Sequence, residues 1–154
     1  MNLKPDPFRT KQNLRALLEN SLGVKLWRNF YYQDRDVMEG GDLSCAFFVS
    51  TLLLMLQAVP KRHGTVHHLT VLDMPEYGWR EVPVDEAYEF GDVLVWDYAQ
   101  QGNSTGKHQH VGFFWGEDQA ISNSSSQGCP VRHHYTYEDT RPIVKVLRFG
   151  GWSE

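Results

Sequence analysis

Cys45 and His110 are the residues of this 154-residue chain whose types and settings best suit covalent chemistry. Cys45 follows Asp42-Leu43-Ser44 and opens an apolar run. Asp42 and Ser44 are both of helix-capping type, so the run predicts a helix with the thiol on its first turn. Unpaired backbone N–H groups and the positive end of the macrodipole favour a thiolate there, the nucleophilic form, and the same N–H groups suit an oxyanion hole. The competing reading is the commoner one for a free cysteine, a small buried hydrophobe. His110 directly precedes the strand-like Val111-Gly112-Phe113-Phe114-Trp115, after the polar turn at 102–106. Six other histidines compete with it: His63, His67, His68, His108, His133 and His134. His108 is the nearest rival, two residues away and on the same face of an extended chain. A Cys–His pair needs a third polar group to orient the ring. Ser122 or Asn123 supplies one from the next strand; alternation lets only one of them face His110, and spacing does not choose.

Other chemistries find less support. Cys129, His133 and His134 lie close together, as do His63, His67 and His68, but structural zinc needs four ligands in paired short spacings. Both groups read as solvated His-rich loops, so neither metal nor organic cofactor is expected. Glu81, Asp85, Glu86 and Glu89 read as a solvated face. Nucleophile elbows and phosphate-binding glycine loops are absent from the sequence.

The elements that must position these residues are readable in outline. Thr10 is a suitable N-cap for a first helix with Leu14, Leu17, Leu18 and Leu22 on its apolar face and Gly23 as its stop. The run from Cys45 is apolar nearly all round, through Phe47, Phe48, Val49 and Leu52 to Leu56, which places its helix at the centre of a domain. Residues 63–79 read as a mixed connector with a helix around 67–74. Short strands then follow at 93–96, 111–115, 120–123 and 143–147, separated by turn residues. Helices first and an antiparallel sheet second is the α+β arrangement, expected here as one domain over residues 1–154.

Composition narrows the partners. Hydrophobic residues make up 41% of the chain and charged residues 22%, within the range of globular proteins. The net charge is −4 and no basic run exists, so nucleic acid is not expected as a partner. The longest apolar stretch, residues 45–59, falls short of the roughly 20 residues that span a bilayer, so no membrane insertion is expected. Residues 1–7 lack the apolar core of a secretory signal, and two cysteines make no disulfide framework. The expectation is synthesis in the cytoplasm, with export, if any, by a route other than the general secretory one.

Three segments in order resemble the NlpC-type and CHAP-type papain-like cysteine peptidases and amidases. Asp42-Leu43-Ser44-Cys45-Ala46-Phe47-Phe48-Val49 is similar to their nucleophile helix, with Ser44 where Asp is usual and Asp42 three residues before the thiol. Glu89-Phe90-Gly91-Asp92-Val93-Leu94-Val95-Trp96 resembles their Gly-Asp strand, with Phe90 in place of proline. His110-Val111-Gly112-Phe113-Phe114-Trp115-Gly116 resembles their histidine strand. The resemblance implies a papain-like fold, N-terminal helices packed on a C-terminal antiparallel sheet, and hydrolysis of amide bonds in peptidoglycan. By position it implies Cys45 as nucleophile, His110 as base and Asn123 or Ser122 as the third residue. Asn123 is preferred because a carboxamide oxygen accepts from an imidazole N–H. An upstream tyrosine near the nucleophile corresponds to Tyr31 or Tyr32. The rival expectations are the same scaffold acting on protein amides, as a deamidase or isopeptidase, and a binding domain that has lost catalysis.

Overall fold

Thr10 begins the first helix as its residue type predicts. Its hydroxyl accepts the backbone N–H of Asn13 at 3.1 Å, and α1 runs Lys11–Ser21. Leu14 and Leu18 are fully buried, and Gly23 turns the chain away at φ +76°, a conformation glycine adopts without a Cβ penalty. The computed structural model describes residues 3–41, 43–97 and 109–153.

Two short strands, β1 (Tyr31–Tyr32) and β2 (Arg35–Asp36), pair as a hairpin. The Asp36 carboxylate accepts the backbone N–H groups of Phe30, Met38 and Gly40, which holds its pKa down at about 2. The central helix α2 follows at Cys45–Met55, with Ala46, Phe47, Phe48, Val49, Leu52 and Leu53 all buried. A left-handed Gln57 closes it, and Ala58 N–H reaches back to the Leu53 carbonyl at 2.8 Å.

The helix expected around 67–74 is a π-helical stretch, His68–Asp73, running into one α-turn, α3 (Met74–Glu76). His63, expected in a solvated loop, is instead buried. Its backbone N–H donates to Ser50 on α2 at 2.8 Å, and its ring pairs with Asp73. Two apolar side chains of the π-helical stretch, Val71 and Leu72, face solvent, while Leu69 is fully buried.

Six further strands follow among the described residues: β3 (Trp79–Val82), β4 (Val93–Trp96), β5 (His110–Gly116), β6 (Gln119–Ser124), β7 (Cys129–His134) and β8 (Ile143–Phe149). They form one antiparallel sheet in the order β3-β8-β4-β5-β6-β7. Helices before an antiparallel sheet make the α+β class expected from the pattern. β3 and β7 depart from expectation: the first lies at the end of a presumed connector and the second in a presumed loop. Alternation gives the sheet two apolar faces. Val93, Val95, Val111, Phe113, Ile121 and Leu147 pack with α1 and α2, while Leu94, Trp96, Ala120 and Val146 form a second cluster with Tyr88, Phe114, Tyr135 and Tyr137. No helix among the described residues is long and apolar enough to cross a membrane.

Gly112 is required where β5 and β6 meet. A Cβ there would lie 2.7 Å from both the Ile121 carbonyl oxygen and the Ser122 Cβ, and 3.1 Å from the Trp96 ring. Backbone on one side and a buried indole on the other leave nothing free to yield. Gly112→Ala is therefore expected to cost about 1–3 kcal/mol, the scale of overpacking, read as a lowered urea midpoint with an unchanged slope. A variant as stable as the wild type overturns this account of the close approach.

Candidate active site

Ser44 occupies the N-cap position of α2, and its carbonyl accepts the Phe48 N–H at 2.8 Å. Its hydroxyl does not cap the helix: Ser44 is buried and donates to the Trp27 carbonyl oxygen, pinning the helix start against the core. That leaves the first-turn N–H groups without a side-chain partner from Ser44. The Cys45 sulfur takes up part of that role. The backbone N–H groups of Val111 (the residue after His110), of Ala46 and of Cys45 itself lie near the sulfur and favour its thiolate form. α2 and β5 thus bring the thiol to the mouth of the histidine strand.

Electrostatically the thiol behaves differently from the expectation of a stabilised thiolate. Burial is the largest influence and pushes its pKa up, outweighing the backbone N–H groups and the nearby Arg141 guanidinium, which pull it down. The resting form is the neutral thiol. His110 shifts the opposite way, to about 3, chiefly through burial, with Arg141 and His133 adding to the effect. Burial also lowers the His133 pKa. The site therefore holds a neutral thiol and a neutral imidazole.

The His110 ring lies on the sheet face opposite Val111, tilted against buried Trp96 with centroids 5.5 Å apart. Its Nε2 is 2.9 Å from Ser122 Oγ. Ser122, not the preferred Asn123, is the residue that meets the His110 ring. The β6 alternation turns Asn123 to the other face, where its amide donates to the Gly41 carbonyl at 3.2 Å and braces the turn that leads into α2. Behind Ser122 stand His133 Nε2 and Tyr137 OH, each 2.7 Å from its hydroxyl. The His133 and Tyr137 rings stack with centroids 4.0 Å apart. A thiolate at Cys45 would raise the Tyr137 pKa further, so thiol and network share one electrostatic site. Burial already holds the Tyr137 pKa up at about 12.

Other expected residues are elsewhere. Tyr31 and Tyr32 are 62% and 72% exposed on the β1–β2 hairpin, and among the described residues neither makes a hydrogen bond or ring contact with the site. Asp42 and His108 lie outside the described residues. Sequence reasoning passed over Tyr137 and Arg141 and placed His133 in a loop. The usable signal was alternation on β7: Val131 pairs with Ser122, so His133, two residues on, shares its face. Among the described residues no cluster of three His, Cys, Asp or Glu side chains is arranged to hold a metal.

The two depressed histidines set the acid response. An unfolded histidine titrates near 6.5, whereas folded His110 stays neutral down to about 3. Between those values the unfolded chain binds a proton that the folded chain refuses, so stability falls as pH drops below 6.5 and this loss levels off near 3. The slope from His110 alone is up to about 1.4 kcal/mol per pH unit. Urea midpoints from pH 7 to pH 4 are expected to fall less steeply in His110→Gln than in the wild type; parallel slopes would refute this origin. Compared with known proteins, the chain matches no protein-family model and no curated protein.

Proposed function

We propose that this protein is a papain-like cysteine hydrolase that cleaves amide bonds, with peptidoglycan peptides as its substrate class. The observation that carries the reading is a helix-start thiol set beside the Val111 backbone N–H, one residue from His110, whose neutral ring is held by Ser122. The resemblance of the Cys45, Asp92 and His110 segments to NlpC-type and CHAP-type enzymes supplies the substrate class.

A neutral pair dictates the order of events. As Cys45 Sγ attacks the amide carbonyl carbon, its proton passes to the unprotonated ring nitrogen of His110. The oxyanion is held by first-turn N–H groups of α2. The imidazolium returns the proton to the amide nitrogen, the C–N bond breaks and a thioester remains. Water then gives a proton to His110 as it attacks the thioester, and collapse breaks the C–S bond, with His110 returning that proton to sulfur, to release the carboxylic acid and the thiol. Arg141 favours the developing thiolate and disfavours the imidazolium, so it lowers the cost of one intermediate charge and raises that of the other. An open cleft lined by Tyr88, Tyr135, Asp139, Arg141 and Ile143 reaches Arg141, whose guanidinium lies 5.8 Å from the Tyr137 ring.

The raised thiol pKa favours a second reading, a binding domain on the same scaffold in which Cys45 is inert. Digestion of purified peptidoglycan, with fragments identified by mass, separates the two. The hydrolase reading expects new amine and carboxyl ends from the wild type and none from Cys45→Ala. Intact peptidoglycan with both proteins, together with bound protein in a pull-down, would replace it with the binding reading.

A further inference from the structure

Ser122 Oγ is the meeting point of three polar side chains, His110, His133 and Tyr137, at 2.9, 2.7 and 2.7 Å. A serine hydroxyl has one proton and two lone pairs, so three partners fill it and fix every proton in the cluster. The assignment starts at the far end. His133 Nδ1 is 2.8 Å from the His134 carbonyl oxygen, which can only accept, so Nδ1 carries the hydrogen. Burial keeps this ring neutral, leaving Nε2 bare. Ser122 must therefore donate to His133 Nε2. Its two lone pairs then accept from Tyr137 O–H and from His110 Nε2–H. Because neutral His110 carries one ring hydrogen, its Nδ1 is the bare, basic nitrogen.

We propose that His133 and Tyr137 are positioning residues that act through Ser122 to hold His110 in the Nε2–H tautomer, leaving Nδ1 as the base. The use of that base rests on the hydrolase reading; the proton assignment does not. The device is rigid because its parts are packed as well as bonded. Trp96 lies against all three rings, at 5.5 Å from His110, 5.6 Å from His133 and 5.1 Å from Tyr137, and its own N–H is tied to the Tyr135 carbonyl at 2.7 Å. Gly112 leaves the room in which Ser122 and Trp96 approach β5. His133 is the component that sets direction. Without an acceptor at its Nε2, the Ser122 proton turns to His110 Nε2, which pushes the His110 hydrogen onto Nδ1 and removes the base. Tyr137 has a lesser part: its hydroxyl occupies a Ser122 lone pair and so keeps that proton pointed at His133.

The test is a long-range proton–nitrogen correlation spectrum of the full chain with nitrogen-15 histidine, recorded near neutral pH. The wild type is expected to show His110 protonated on Nε2 and His133 protonated on Nδ1. In His133→Phe the His110 hydrogen is expected to move to Nδ1, and turnover to fall about 10- to 100-fold in kcat with KM nearly unchanged, the scale of losing an orienting partner. His133→Gln is expected to restore the wild-type His110 pattern and most of the rate, since a carboxamide oxygen accepts in place of Nε2. Wild-type His110 protonated on Nδ1, or as an imidazolium, overturns the proposal, as does a His133→Phe spectrum identical to the wild type. The expected spectra with no turnover of any amide substrate would support the proton assignment and sink the hydrolase reading alone.

Discussion

On the hydrolase reading, Cys45→Ala and His110→Ala are each expected to lower peptide-bond turnover by about 10⁴-fold, with the double variant hardly slower than either single one. Thiol and imidazole act as a unit: a base with no thiol to deprotonate does nothing, and a buried neutral thiol with no base is a poor nucleophile. The second half of that argument is stronger here than in sites that keep a preformed thiolate, because burial raises the Cys45 pKa and lowers that of His110. The same protonation states set the reactivity of the free protein. Alkylation of Cys45 is expected to be slow at neutral pH and to climb only above the usual thiol range. Stopped assays on the four proteins give the rate factors, and fragment counts by mass give the bond. A multiplicative loss in the double variant would separate the two residues. Rapid alkylation at pH 6 would mean the thiolate is already present, and the proton transfer from Cys45 to His110 would not be part of the reaction.

Which parts of this site are legible in the sequence follows from how each is determined. α1 and α2 have local start and stop signals that agree with their burial, at Thr10, Gly23 and the all-round apolar run after Cys45. β4, β5, β6 and β8 carry runs of apolar residues between turns, so they too are readable. β3 and β7 are strands by partnership. Trp79-Arg80-Glu81-Val82 holds its place through β8, with Trp79 opposite Phe149, their rings stacked 4.9 Å apart. β7 contains Pro130 and two histidines, and pairs with β6 across the turn after Ser124. The site divides the same way. Cys45 and His110 are marked by a helix start and a strand mouth. Choosing Ser122 over Asn123 needs the face that β6 turns to β5, which is set by packing against α2. His133 needs the β6–β7 register as well. The direction of the thiol pKa is hidden from the sequence for a related reason: the helix terminus is a local feature, whereas the burial that outweighs it comes from β5 and the residues around it.

Asp92→Ala is expected to destabilise the fold by about 3 kcal/mol, and Arg148→Met by more, up to about 5 kcal/mol. Asp92 is only 1% exposed, and Arg148 grips it with both ends of its fork, Nε to Oδ1 and Nη2 to Oδ2, each at 2.8 Å. The second oxygen also accepts the Glu89 N–H at 2.8 Å, so one carboxylate ties the turn entering β4 to the neighbouring strand β8. Removing Asp92 leaves Arg148 with Glu89 at 3.3 Å and the Ala87 carbonyl at 3.2 Å, on the solvent side, which limits the damage. Removing Arg148 strands a carboxylate in the interior with a single backbone N–H, and a buried unpaired charge is the costlier defect. The double variant removes both charges and is expected to cost less than the sum of the two, because the unpaired charge that dominates each single loss is gone. Urea unfolding of the four proteins closes the cycle. Additive losses, or single losses below about 1 kcal/mol, would make this a surface ion pair in energetic terms and leave the aspartate of the Gly91-Asp92 pair without its structural reason. The position of β4 would then rest on its apolar contacts alone. Since His110 is the cross-strand partner of Trp96 at the far end of β4, any loosening of the Asp92 anchor is expected to reach the imidazole through that indole.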